Sequence, residues 1–367
     1  MGKHYHFRLA AGTAMAGVLF VSSANLQAQG GVFVPYIPPA APVQQYKAQS
    51  HSYAQQIYQK QLQSSQRTQQ ARFASNGVRF QRAAFSNNRM ISRQNGNQNA
   101  WQRVFNTFNM PDYSSNPRVR KFIRSYAKSP KQLSILSGKA DTFLHMIIEE
   151  INRRGMPAEI ALLPFVESGF DPDVFSHAGA AGLWQFIPST GRNYGLKQTR
   201  NYDARMDPFA ATGAALNYLQ KLHREFRGDW LKALAAYNCG ENCVHRAVRR
   251  AKNAGRSDSY WNLSLPRETM NYVPRLLAFK ELISKSRQYG IRLPVTPNDA
   301  KLTQVRLNKP INLRQAALRA GLPANKLTEL NPCFRTGITT PQHSNRIILP
   351  REHAGRLIQV LRTMPPA

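Results

Sequence analysis

A carboxylic acid that donates a proton near neutral pH needs surroundings that disfavour its charged form, and Glu167 is placed to have them. It closes the apolar run Leu162-Leu163-Pro164-Phe165-Val166 and is followed by Ser168-Gly169-Phe170. The spacing predicts a helix from Pro157 to about Glu167. The acid then sits at a helix C-terminus, where the macrodipole disfavours an anion. Burial and dipole both raise its pKa and leave an acid able to protonate a leaving-group oxygen. Pairing with one of the many arginines is the competing reading, and the local context leaves both open.

Further polar residues invite the same question. Ala178-Gly179-Ala180-Ala181-Gly182-Leu183-Trp184-Gln185-Phe186 is a small-residue loop running into Trp and Gln, and small residues let a substrate approach the backbone closely. Trp184 offers a ring for stacking on a sugar. Gln185 can donate and accept at once, which suits an N-acetyl amide and equally suits the carbonyls of its own loop. Tyr237 and Asn238 close a helix that begins at Asp229, and Glu268 and Tyr272 lie one helical turn apart. Core tyrosines and a capping Asn are the alternative readings.

The elements that must position these residues are helical. Leu133, Leu136, Phe143, Leu144, Ile147, Ile148 and Ile151 recur at three- and four-residue steps, predicting one amphipathic helix that stops near Gly155. Asp207-Pro208 reads as the cap and first residue of a long helix ended by Gly228, and Asp229 opens another ended by Gly240. A further helical pattern from Arg267 to Ser286 carries Pro274, where a break is expected. No alternating strand pattern occurs between Asn116 and Ile291, so this central domain is expected to be all-α.

Composition sets the frame. The 367 residues suffice for two compact domains, and 42% hydrophobic content supports a core in at least part of the chain. A formal charge of +31 points to a polyanionic partner. Only the extreme N-terminus could interest a membrane, which excludes a polytopic membrane protein. Lys3 and Arg8 ahead of the apolar run Leu9 to Val21 read as an export signal, residues 1–28, and imply a periplasmic, soluble or peripherally bound protein. The first cysteine is Cys239, so a lipid on an N-terminal cysteine is not expected.

Residues 29–115 are rich in Gln, Ser, Asn, Arg and Pro, with no acid before Asp112, and read as mostly disordered. Basic residues interleaved with aromatics, Tyr53, Tyr58, Phe73, Phe80, Phe85 and Trp101 among them, can bind single-stranded nucleic acid. Export argues against that partner and for a tether to an anionic envelope surface. No nucleic acid is expected.

Taken together, Glu167-Ser168, Gly182-Leu183-Trp184-Gln185, Ala236-Tyr237-Asn238 and Glu268 with Tyr272-Val273 resemble the soluble-lytic-transglycosylase-like family, the goose-lysozyme-related muramidases of bacteria. The resemblance spans about Asn116 to Pro294, and Asn193-Tyr194-Gly195-Leu196 and Asn201-Tyr202-Asp203-Ala204-Arg205 narrow it to one branch. It implies cleavage of the β-1,4 bond between N-acetylmuramic acid and N-acetylglucosamine in peptidoglycan strands, with closure to a 1,6-anhydro end. By this analogy Glu167 does all the proton work, Ser168 orients it, Gln185 and Asn238 bind substrate, Tyr237 and Tyr272 shape the site, and Glu268 touches a sugar. No cofactor and no metal are implied. Asp171 and Asp173 are the nearest acids in sequence, but they sit in a turn where capping is the expected job, leaving no obvious second catalyst. A noncatalytic peptidoglycan- or envelope-binding protein and a hydrolysing muramidase are the competing functions.

Beside the missing N-terminal cysteine, which many members carry as a lipid anchor, two features depart from the family pattern. Cys239 and Cys243 flank Gly240-Glu241-Asn242, where a disulfide, or with His245 an incomplete metal set, are the open readings. The basic segment 29–115 is the other. Beyond the catalytic domain, 116–297, residues 298–367 form a separate unit. A strand at Leu302 to Leu307, short helices at Leu313 to Ala320 and Ala324 to Leu330, and a strand at Arg346 to Leu349 resemble a degenerate LysM module. It is expected to pack on the catalytic domain rather than bind glycan, and its basic excess favours adhesion to peptidoglycan carboxylates. The expected fold is mainly α: a lysozyme-like helical domain followed by a small α+β LysM-like module.

Overall fold

The computed structural model describes residues 99–367. The expected signal peptide at 1–28 and the basic segment up to residue 98 lie outside the described residues. The packed chain begins with α1, Ala100–Asn106, capped by the Asn99 side chain. This corrects the expectation that order starts near Asn116. Trp101 belongs to the core, 1% exposed and 6.0 Å from the Phe165 ring. The following turn is fastened by the wholly buried Glu159, which accepts from the backbone N–H of Asn109 and Met110 and pairs with Lys280 at 2.9 Å. A buried carboxylate needs such partners, and they hold the N-terminal turn on the helical body.

The helices continue as α2, Pro117–Tyr126, α3, Pro130–Ala140, and α4, Leu144–Arg153. The single helix expected across Leu133 to Ile151 is therefore two. The chain turns at Asp141-Thr142-Phe143, weak helix formers, and Asp141 is drawn to Lys301. Next come a 3₁₀ turn, Ala158–Leu162, α5, Leu163–Glu167, and α6, Pro188–Asn193. The Asp207 side chain caps α7, Pro208–Glu225, and Asp229 caps α8, Trp230–Cys239, as their sequences predict. Gly240, with φ 84°, turns the chain into α9, Glu241–Asn253, and a disulfide joins Cys239 to Cys243 across that junction.

The central element is α10, Arg267–Ser284, packed against α2, α5 and α8. The expected break at Pro274 does not occur. Proline deprives the Met270 carbonyl of its donor. The Tyr260 hydroxyl points at that carbonyl from 3.4 Å and at Thr269 O from 3.2 Å, so the helix runs on with its freed acceptor served.

The C-terminal module consists of β1, Leu302–Arg306, α11, Leu313–Arg319, α12, Lys326–Leu330, β2, Arg346–Pro350, and α13, Ala354–Thr363. Its strands pair antiparallel, Gln304 opposite Ile348, as the β-α-α-β reading requires. The Asn331 side chain joins α12 to β2, donating to Leu327 O and Ile348 O and accepting from Ile348 N. The closing helix α13 is an addition that the sequence reading lacks. The module shares one hydrophobic core with the helical domain, where the Tyr202 ring lies 5.3 Å from Phe334. The fold is thus mainly helical with one small two-stranded sheet. Among the described residues no helix is long and apolar enough to cross a membrane.

Candidate active site

Glu167 is the last residue of α5 and lies across from α10. The surroundings are apolar: Pro164 and Phe165 precede it in the core, and Phe165 stacks at 5.4 Å on Phe279. Burial pushes its carboxyl up to about 8, a hydrogen bond from Tyr272 pulls the other way, and the nearby Glu268 charge adds to the rise. The Tyr272 hydroxyl donates to Glu167 Oε1. No arginine or lysine ion pair reaches Glu167 among the described residues, so the paired-carboxylate reading does not hold.

Three elements converge on this carboxyl. From α10 come Glu268 in the first turn and Tyr272 one turn on. The end of α8 supplies Tyr237 and Asn238. Tyr237 is close enough for the Glu167 charge to disfavour its own ionisation, after burial as the main cause, and its hydroxyl donates to the Trp184 carbonyl at 2.8 Å. Asn238 bridges two neighbours on α10, donating to Glu268 Oε1 at 3.4 Å and accepting from Thr269 Oγ1 at 2.7 Å. Glu268 is half-buried, and its carboxyl is raised, by burial first, against the Asn238 bond and the Arg275 charge.

The third element is the loop from Phe175 to Phe186, and here the structure corrects several expectations. Trp184 is 0% exposed, and its indole N–H donates to Thr212 Oγ1 at 2.9 Å. It is a core anchor of the loop, not a platform for a sugar. Gln185, at φ 47°, donates through Nε2 to Gly182 O at 2.9 Å and Val174 O at 3.2 Å. Its amide nitrogen thus serves its own loop, and the oxygen is the part left for an N-acetyl N–H. Gly182 makes room for protein rather than substrate: at φ +78°, an added Cβ would lie 2.1 Å from the Arg205 carbonyl oxygen.

The Ser168 hydroxyl makes no hydrogen bond to the Glu167 carboxyl. It donates to Leu183 O at 3.1 Å and accepts from Asp171 N at 3.2 Å, tying the end of α5 to the loop and to the following turn. Tyr272 holds the carboxyl instead. Asp171 and Asp173 stay in their turn, as expected, with Asp171 Oδ1 accepting from Asp173 N. Glu268 stands near enough for its charge to raise the Glu167 carboxyl. Thr269 and Thr212 carry no signal of their own in the sequence, since their roles are bonds to residues 28 to 31 positions away.

The thiols of Cys239 and Cys243 are joined, which answers the open reading at that pair, and Cys333 is free and buried. Among the described residues no group of three or more His, Cys, Asp or Glu is placed to hold a metal ion.

Residues 145–259 match the family model described as Transglycosylase SLT domain, and residues 301–365 match Lytic transglycosylase MltD, LysM-like domain. The first match spans Glu167, Ser168, Gln185, Tyr237 and Asn238 and ends before Glu268 and Tyr272. Membrane-bound lytic murein transglycosylase D of Escherichia coli K12 is 43% identical over 249 residues, 67% of this chain and 54% of that protein. Peptidoglycan transglycosylase gp16 of Escherichia phage T7 is 35% identical over 114 residues, 31% of this chain and 8% of that protein. Soluble lytic murein transglycosylase of Salmonella typhimurium is 31% identical over 119 residues, 31% of this chain and 18% of that protein. The chain spans about half the length, 54%, of the relative with which it shares the longest of these three matches.

Proposed function

We propose that this chain is a peptidoglycan lytic transglycosylase, and the observation that carries the reading is a single carboxyl, Glu167, held near pKa 8 and hydrogen-bonded by a neutral phenol. Below that pH it is a carboxylic acid and can protonate the glycosidic oxygen between N-acetylmuramic acid and N-acetylglucosamine. The bond from C1 to that oxygen then breaks with its electron pair on the departing sugar. The resulting carboxylate, still held by Tyr272, accepts the proton of the muramic 6-hydroxyl as that oxygen closes on C1. One proton leaves Glu167 and one returns, no water is consumed, and a 1,6-anhydro end results.

On this reading Gln185 and Asn238 meet acetamido and hydroxyl groups, Glu268 meets a sugar hydroxyl, and Tyr237 lines the wall beside the acid; the closeness of Tyr237 to the Glu167 charge supports the last of these. A protonated Glu167 carries no charge to repel a muramyl carboxylate. The relatives' names supply the substrate class, murein. On this reading the protein is exported and works in the periplasm, soluble or peripherally attached, with the basic segment 29–115 adhering to anionic envelope surface.

A hydrolysing muramidase is the second reading, favoured by one observation: Glu268 sits close to Glu167 and can serve as the base for a water. Mass spectrometry of muropeptides released from purified peptidoglycan separates the two. Products one water lighter than ordinary muropeptides are expected from the wild type, with a loss of roughly 10²- to 10⁴-fold in Glu167→Gln. Reducing ends would establish hydrolysis, and no release across salt and pH would leave a noncatalytic envelope-binding protein.

A further inference from the structure

We propose that the C-terminal module takes part in catalysis through Arg335, a positioning residue for the loop beside Glu167. The proposal rests on the transglycosylase reading for its kinetic readout and on geometry for the rest. The Asn201 to Arg205 turn of the helical domain lies along Asn331 to Arg335 of the module. Asp203 N donates to Cys333 O at 2.9 Å, and Arg335 N donates to Asn201 O at 3.0 Å.

At this junction Asp203 is wholly buried and its carboxylate accepts four hydrogen bonds. Oδ1 takes Arg205 N at 3.1 Å and Arg205 Nε at 3.0 Å, while Oδ2 takes Arg205 Nη2 and Arg335 Nη2, each at 2.7 Å. Arg205 then reaches the active-site loop: its Nη1 donates to Gly179 O at 2.6 Å, in the first half of the loop, and to Phe186 O at 2.9 Å, at its end. The Phe175 ring meets both guanidinium groups, at 5.9 Å from Arg205 and 5.6 Å from Arg335.

The loop has no slack against this support, because the Gly182 backbone lies directly on the Arg205 carbonyl. What the loop presents toward the acid is the Trp184 carbonyl, which takes the Tyr237 hydroxyl, and the Leu183 carbonyl, which takes Ser168. A continuous set of bonds therefore runs from the module through Asp203 and Arg205 to the residues flanking Glu167. Arg335 is the member that can be changed with least damage, since its side chain is 40% exposed while Asp203 is 0% and Arg205 5%. Without it, Asp203 Oδ2 keeps one donor, and the Asp203–Arg205 pair loses the partner that fixes its orientation.

The test uses the full chain carrying Arg335→Ala or Arg335→Lys and a soluble tetrasaccharide of alternating N-acetylglucosamine and N-acetylmuramic acid, assayed well below the unfolding temperature. Arg335→Ala is expected to lower kcat roughly tenfold with KM nearly unchanged, and Arg335→Lys to recover part of the loss. Amide exchange at Ala181 and Gln185, whose N–H groups bond to Phe186 O and Gly182 O, is expected to quicken by a similar factor. A loss confined to KM would assign the module to glycan binding, and unchanged kcat with unchanged loop exchange would mark Arg335 as a plain anchor; either overturns the proposal. Should Arg335→Ala not fold, Arg335→Lys reads the same contrast, because it keeps the charge and loses the fork. Should the wild type release no product, the exchange measurement still decides the coupling, while the activity reading falls separately.

Discussion

Glu167 and Asp203 are carboxylates withdrawn from bulk water in one fold, yet burial leads them in opposite directions. Around Glu167 the donor is a single neutral phenol and the nearby charge is another acid, so desolvation prevails and the carboxyl sits near 8. Around Asp203 desolvation works the same way, but Arg205 and Arg335 outweigh it and hold the carboxyl below its ordinary range. Burial alone does not make a catalytic acid: what matters is whether the neighbours satisfy the anion. A fully satisfied carboxylate fixes geometry, and an unsatisfied one retains a proton to give.

The largest effect expected from this contrast is structural. Asp203→Asn leaves two guanidinium groups around a neutral amide whose single oxygen can accept only part of their bonds and whose NH2 faces the other donors, and breaking such a buried set costs about 3–5 kcal/mol. Denaturant unfolding at pH 7 measures it. Because the folded carboxyl is depressed, the wild-type advantage is present above the unfolded value of 3.8 and disappears as pH falls through the lower folded value. A loss that stays constant down to that range would place the effect in packing rather than charge and would blur the comparison.

A smaller effect should appear at the other carboxyl. Tyr272→Phe removes the one bond that lowers the Glu167 pKa, so the alkaline limb of the pH–rate profile moves above about 8. The proton-donating half of the reaction weakens, because the carboxylate it leaves has lost its donor, and kcat falls roughly 10- to 100-fold. An alkaline limb that moves down instead would mean that Tyr272 donates mainly to the neutral acid, against the view of Glu167 as an anion with too few donors.

Much of this contrast could be read from residue order, but only one side of it. Leu162 to Val166 ahead of Glu167 announces an apolar setting, and the Tyr237-Asn238 and Glu268-Tyr272 pairs lie at helical spacing, so the components of the site are local signals. The caps at Asp207 and Asp229, like the strand pair of the module, are local too. What escaped depends on contacts between distant segments. Trp184 turns inward because Thr212 waits there, Ser168 bonds to Leu183 rather than to its neighbour, and Pro274 leaves α10 whole because Tyr260 reaches the freed carbonyl. Trp101 reads as part of a polar basic stretch until its partner Phe165 is known. Asp203 and Arg205 served only as marks of resemblance, and their bond to Arg335 spans 132 residues.

The smallest expected effect tests the active-site half by stability alone. The folded Glu167 carboxyl, near 8, lies above its ordinary 4.5, so between these values the native state holds a proton that the unfolded chain has released. Stability must then fall as pH climbs from about 4.5 to about 8 and level off beyond, a cost set by keeping a poorly satisfied acid in place. Glu167→Gln removes the ionisable group while keeping its shape and its acceptor for Tyr272. The variant should match the wild type near pH 4 and exceed it by about 2 kcal/mol at pH 9, less than the full shift implies because Glu167 keeps some contact with water. Paired denaturant melts at the two pH values read the difference. A variant no more stable at pH 9 than at pH 4, relative to wild type, would mean that the anion is satisfied in the native state, and the site would then have to obtain its proton elsewhere.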